Sequence, residues 1–262
     1  MITRSLHTVG VLILACLGIV ACASPETKLD SGLWHFKAGL YRQAIPLLLS
    51  GTPDVERADP SDPRLPTAYV ALGDMAAADK EKQRAEEFYN KALKAAKTKH
   101  SQDPVLNRNA LVHAGNFLRS QGRFAEALPL LTDAAAISGR EASMPRLLHA
   151  NDLDNLSLTY SGMQDQVKAD ATSKRALEVL GGLEQSDDVK ASKGIILYNT
   201  AYRMAEQGRD SEADAYYRES LVLVSAYGEQ WRKNVVLSNY ATFLRKVGRH
   251  SEAAALDGQI KK

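Results

Sequence analysis

Three asparagines, Asn155, Asn199 and Asn239, are the residues best equipped for recognition chemistry, and each stands fourteen residues before an alanine: Ala169, Ala213 and Ala253. A primary amide carries both a donor and an acceptor. Amides repeated at a fixed spacing either pair with the backbone of an extended peptide without reading its side chains, or satisfy neighbouring helix ends and bridge one unit to the next. A second group is basic. His113, Asn116 and Ser120, with the adjacent Arg119, lie opposite the apolar stripe that runs from Leu111 to Leu118, and Arg245, Lys246 and Arg249 form a similar group later in the chain. Such groups hold a carboxylate or an acidic segment, or are simply solvated. Tyr198 and Tyr202, four apart beside Asn199, form either an exposed pair able to grip an apolar side chain or part of a core.

Covalent catalysis finds no foothold. His7, His35, His100, His113, His149 and His250 form no His-Glu-x-x-His pair, no glycine-rich loop is spaced to cradle phosphate, and no serine sits in a nucleophile elbow. The expectation is a protein that is not an enzyme and takes no metal, cofactor or small-molecule substrate. A formal charge of +2 over 262 residues is too small for a general nucleic-acid surface. With 45% hydrophobic residues the chain has enough apolar material for a sizeable core.

The elements that position these residues are repeated. From Leu111 to Ala136, apolar residues recur at helical spacing, break at Gly122, and resume through Ala127, Leu130, Leu131 and Ala134, which predicts two helices joined by a glycine turn. Taking Ala127 as an anchor, equivalents fall at Ala44, Ala85, Ala169, Ala213 and Ala253, at intervals of 41, 42, 42, 44 and 40 residues in chain order. Twelve residues before each anchor the chain has Gly32, Gly73, Gly115, Ser157, Ala201 and Ala241. Five before it are Gly39, Gly122, Gly208 and Gly248, with Lys80 and Gln164 as exceptions. Seven after it come Gly51, Ala92, Ala134, Ala176, Ser220 and Ile260. Small side chains at these places let antiparallel helices approach closely while Leu, Tyr and Phe fill the flanking holes. Pro53, Pro60, Pro63 and Pro66 predict a loop from Gly51 to Pro66, and Trp34 and Trp231 are expected to plug the two ends.

This pattern resembles the tetratricopeptide repeat (TPR) family, as in Leu72-Gly73, Ala85, Phe88, Tyr89 and Ala92, and the likeness covers nearly all of residues 25 to 262. The period near 42 is similar to that of kinesin light chains, with Asn155-Leu156-Ser157-Leu158-Thr159-Tyr160 and the segment from Asn239 to Arg249 carrying that likeness. The resemblance implies an all-α, right-handed solenoid of about six helix-turn-helix units, near residues 29–51, 66–97, 105–138, 147–180, 191–226 and 231–262. It also implies that the residue fourteen before each anchor, Asp30, Ala71, His113, Asn155, Asn199 or Asn239, points to a concave groove. A peptide-binding groove of His113, Asn116, Arg119, Asn155, Tyr198, Asn199, Tyr202, Asn239 and Arg245 is therefore expected, with a protein or peptide as partner. Val112 stands where TPR receptors for C-terminal carboxylates have lysine, which argues against that activity.

The N-terminus supplies an address. Arg4 precedes an uncharged apolar block from Val9 to Val20, shorter than a bilayer span, and Ile19-Val20-Ala21-Cys22 resembles the lipobox of bacterial lipoprotein signals. The resemblance implies cleavage of residues 1–21 and diacylation of Cys22. Cys16 leaves with the leader, so the mature chain has no cysteine pair to oxidise. Ala23 and Ser24, with no Asp beside Cys22, resemble lipoproteins sorted to the outer membrane, facing the periplasm. Membrane contact is expected through the lipid alone. The expected role is a scaffold or adaptor for an envelope complex, with a pilotin-like assembly chaperone for a secretin or outer-membrane client as the alternative.

Overall fold

The computed structural model describes residues 23–99 and 102–260; the expected signal peptide and Cys22 lie outside the described residues. Among these are twelve helices and no strand. They are α1 (Pro25–Lys37), α2 (Tyr41–Ala58), α3 (Leu65–Ala78), α4 (Lys82–Lys99), α5 (Pro104–Ser120), α6 (Phe124–Arg140), α7 (Arg146–Gly162), α8 (Gln166–Gly181), α9 (Asp187–Glu206), α10 (Asp210–Tyr227), α11 (Gln230–Lys246) and α12 (His250–Asp257). They fall into two compact units, Met1–Phe117 and Leu118–Lys262, divided within α5. Helices pack pairwise inside each unit: α1 on α2 and α3 on α4 in the first; α7 on α8, α9 on α10 and α11 on α12 in the second.

Local chemistry sets the boundaries. Ser24, Asp165 and Ser186 cap α1, α8 and α9 by accepting the backbone N–H three residues on. At every hairpin turn one residue takes the left-handed conformation: Gly39, Lys80, Gly122, Gln164, Gly208 and Gly248, with φ between 62° and 81°. The next residue's N–H then reaches back to a carbonyl five residues earlier, as Arg209 does to Met204 at 2.9 Å and Arg249 to Leu244 at 2.8 Å. The two non-glycine exceptions in the sequence thus adopt the glycine geometry.

The small-residue columns are the helix contacts. All six anchor alanines are fully buried. A Cβ on Gly73 would stand 2.7 Å from the Tyr89 ring, and one on Gly32 2.7 Å from Leu48. Where serine replaces glycine or alanine, its hydroxyl donates across the contact, Ser157 to the Ala169 carbonyl at 2.8 Å and Ser220 to that of Gly194 at 2.7 Å. Successive pairs are joined by a second rule: the residue ten before an anchor packs on the residue four after the previous one. Phe117 meets Tyr89 in the first unit at 5.1 Å between ring centroids, and Phe243 meets Tyr217 in the second at 5.5 Å.

Two expectations need correction. Residues 51–58 are helical, because α2 continues through Pro46 and Pro53; both prolines are exposed, so water reaches the carbonyls they leave unpaired. The loop is confined to residues 59–64, and Pro66 sits in the first turn of α3, where no N–H is needed. Trp34 and Trp231 plug nothing: they are 62% and 60% exposed. The final helix α12, with 8 residues, covers its partner over two turns only.

Candidate binding face

The second unit sets three first helices side by side, α7 against α9 and α9 against α11, and the asparagines fourteen before the anchors ride on them. Asn155, Asn199 and Asn239 are all partly exposed. The Asn155 amide has no partner among the described residues. Asn199 donates from Nδ2 to Asp154 Oδ2 at 2.7 Å, and Asn239 donates from Nδ2 to the Val235 carbonyl at 2.9 Å. Tyr202 is 49% exposed beside this row. Tyr198 is not its exposed twin: it tilts against Tyr217 at 6.3 Å, and burial raises its phenol above the ordinary range.

Beneath the row lies a polar layer that sequence reasoning missed. Asp154 is 7% exposed, and burial pushes its carboxyl up to about 6 against the opposing pull of Asn199, Arg119 and Arg203. Among the described residues its Oδ1 accepts no hydrogen bond. Arg203, 4% exposed, sends Nε to Asp170 Oδ1 at 3.1 Å, Nη1 to Ser157 Oγ at 2.9 Å and Nη2 to Ser173 Oγ at 2.8 Å. It occupies the place that Phe117 and Phe243 take in their pairs, over a Ser173 where the others have tyrosine. A signal was available in the repeat columns. Fifteen before the anchors stand Leu29, Val70, Val112, Asp154, Tyr198 and Ser238, and ten before them Trp34, Met75, Phe117, Thr159, Arg203 and Phe243, so Asp154 and Arg203 are charges in largely apolar columns.

The basic groups are engaged with the protein itself. Arg245 pairs with Asp257 of α12, and Arg249 with Asp214 and Glu252. Arg119 is partly buried, and that burial lowers its guanidinium from the usual range. His113 and Asn116 belong to the first unit. There His113 Nδ1 lies 2.9 Å from Asp74 Oδ1, which also accepts the Tyr89 hydroxyl at 2.7 Å, and Asp30 accepts Arg64 at 2.7 Å. The structure therefore gathers Asn155, Tyr198, Asn199, Tyr202 and Asn239 on adjacent first helices of one unit and commits Arg245 to an internal ion pair. Among the described residues no three His, Cys, Asp or Glu side chains converge as metal ligands, and no helix is long and apolar enough to cross a membrane.

Two models of the tetratricopeptide repeat match the sequence, over residues 66–99 and 107–180. None of the curated proteins matches. Among solved structures, PilF of Pseudomonas aeruginosa is 20% identical with a TM-score of 0.59, each chain covered over 90%. PilW, described as a widely conserved type IV pilus biogenesis factor, is 16% identical with a TM-score of 0.62, over 90% of this chain and 91% of its own. A putative kinesin light chain from Podosopora anserina with nearly identical TPR-like repeats is 16% identical with a TM-score of 0.58, over 77% of this chain and 95% of its own. At these identities the likeness is one of fold: all-α, with helix pairs stacked as in a TPR solenoid. With its columns of small residues, its six left-handed turns and its two matched segments, this chain is a tetratricopeptide-repeat protein.

Proposed function

We propose that the protein is a lipid-anchored adaptor of the bacterial envelope that binds a partner protein along the first helices α7, α9 and α11. The observation that carries this reading is the row itself: the unpaired Asn155 amide, the outward carbonyls of Asn199 and Asn239, and the half-exposed Tyr202 ring, all on adjacent helices. Amides in such a row bond a peptide backbone of any sequence, and an aromatic neighbour adds grip on one side chain. Changing Asn155, Asn199 and Asn239 together to Ala is expected to abolish partner cross-linking in native envelopes while the helical circular dichroism is kept. Unaltered cross-linking by a folded triple variant sinks the reading.

The anchor rests on the Ile19-Val20-Ala21-Cys22 sequence and has its own test. Labelled palmitate should enter the wild-type chain and not Cys22→Ser, and the wild type should fractionate with the outer membrane. Similarity to PilW over nine-tenths of each chain favours a second reading, an assembly factor for a secretin-like or other outer-membrane client. In that case deletion lowers the amount of the client in the outer membrane, whereas loss of a static scaffold leaves that amount unchanged.

A further inference from the structure

The amides of the row are not free to present either end. A helical carbonyl and an ionised carboxylate only accept hydrogen bonds, so Asn239 must turn its NH2 to the Val235 carbonyl and Asn199 must turn its NH2 to Asp154. Both side chains therefore present the carbonyl oxygen outward, and among the described residues neither oxygen has a donor. The surroundings reinforce this polarity. Asp154 Oδ1, directly behind the row, also lacks a donor. Of the nearby cations, Arg119 and Arg203 act on Asp154, Arg203 also pairs with Asp170, Arg245 pairs with Asp257, and Lys246 Nζ gives one hydrogen bond to the Ala205 carbonyl at 3.3 Å. Glu206 at the end of α9 is exposed and carries no ion pair among the described residues.

We propose that this face selects a partner segment that donates hydrogen bonds, specifically an extended segment bearing arginine or lysine, whose cationic groups seat against Asn199 Oδ1 and Asn239 Oδ1 with the Tyr202 ring alongside. The inference rests on the reading of the face as a protein-binding surface and adds the chemistry of what binds. A guanidinium suits such a place twice over, since it only donates hydrogen bonds and its plane stacks on an exposed phenol ring. An acidic segment would bring acceptor to acceptor.

Three fluorescein-labelled octapeptides of alternating Gly-Arg, Gly-Glu and Gly-Ser, titrated with the full chain at neutral pH, provide the test by fluorescence anisotropy. The Gly-Arg probe is expected to bind at least about tenfold tighter than the other two. Asn239→Asp, which keeps an acceptor and discards the donor, should tighten it several-fold, and Asn239→Lys should weaken it about tenfold. Ala171→Asp, on the exposed side of α8, controls for a general charge effect and should leave it unchanged. Weaker Gly-Arg binding by Asn239→Asp, or equal tightening by Ala171→Asp, overturns the proposal. If Gly-Glu or Gly-Ser binds best and the triple alanine variant loses it, the binding face stands and its polarity is wrong. If no probe binds, or the triple variant binds them all as before, both readings fall together.

Discussion

Asp214 and Asp154 lie in the same unit, Asp214 near the turn rim and Asp154 under the binding face, and the protein surrounds them differently. Burial alone would raise the carboxyl of Asp214, but the Tyr240 hydroxyl at 2.6 Å, Arg249 at 2.7 Å and Arg218 at 3.0 Å together hold it below the usual range. Asp154 is more deeply buried, has one hydrogen-bond donor, and is raised. The rim repeats its arrangement, since Asp170, like Asp214 one residue past an anchor, accepts the turn arginine of the next pair, Arg209, at 2.5 Å. Charges at the rim close on one another and link successive pairs. Under the face an acceptor is left over, which makes recognition possible and costs stability.

The largest effect is expected where the two regions meet, at Arg203. It joins Asp170 of the rim to the serines that replace a core aromatic contact, and Arg203→Ala would take a buried donor from Ser157 and Ser173 and open a void, while the partly exposed Asp170 keeps Arg209. Truncating a large buried side chain together with its buried hydrogen bonds typically costs about 3 kcal/mol. Urea denaturation should show that loss, and a loss no larger than for Arg175→Ala, whose pair with Glu178 is exposed on both sides, would place Arg203 among ordinary surface ions.

Asp154 gives a smaller effect of opposite sign. Its folded value of about 6 lies above that of an unfolded aspartate, near 3.9, so the native state binds the extra proton between them. Stability should therefore be highest below about pH 4 as far as this group is concerned, fall as pH rises to about 6, and stay level above. Asp214 acts in a separate window: its lowered value contributes stability above the unfolded value that is lost as pH falls further into acid. Asp154→Asn removes the penalty, keeps an acceptor for Asn199, and should gain about 2 kcal/mol at pH 7 and nothing near pH 4. A gain that does not depend on pH would mean that packing rather than charge is responsible.

The fold was legible because close helix contact leaves few options: Ala44, Ala85, Ala127, Ala169, Ala213 and Ala253 are each fully buried, and the turn position falls on the residue predicted in all six pairs. The stretch from Gly51 to Ala58 is helical against the expectation of a loop because the carbonyl that exposed Pro53 leaves unpaired is reached by water, and the burial of Thr52 and Val55 offsets the remaining cost of the proline. The amide row could be placed from spacing alone. Its polarity could not, because Asn199 takes its orientation from Asp154, forty-five residues away, and Asn239 takes its own from the backbone of its helix. Arg245 was expected on the face for the same reason in reverse: spacing gives a residue's position, and Asp257 decides where its charge is spent.

The smallest effect belongs to the rim and asks how far its turns are idealised. Four of six turn residues are glycine, while Lys80 and Gln164 hold φ of 64° and 62° with a side chain attached. The left-handed conformation costs a non-glycine residue about 1 kcal/mol, and glycine returns part of that gain through the greater freedom it gives the unfolded chain. Gln164→Gly should thus stabilise by about 0.5 kcal/mol, and Gly208→Ala should cost about 1 kcal/mol, because the added Cβ meets no atom within 4 Å and only the backbone conformation is at stake. Because the rim and the face are distinct in this unit, neither change should alter binding of the Gly-Arg probe. A turn substitution that shifts stability by this amount and also weakens the probe would show that the rim pairs set the spacing of the amide row.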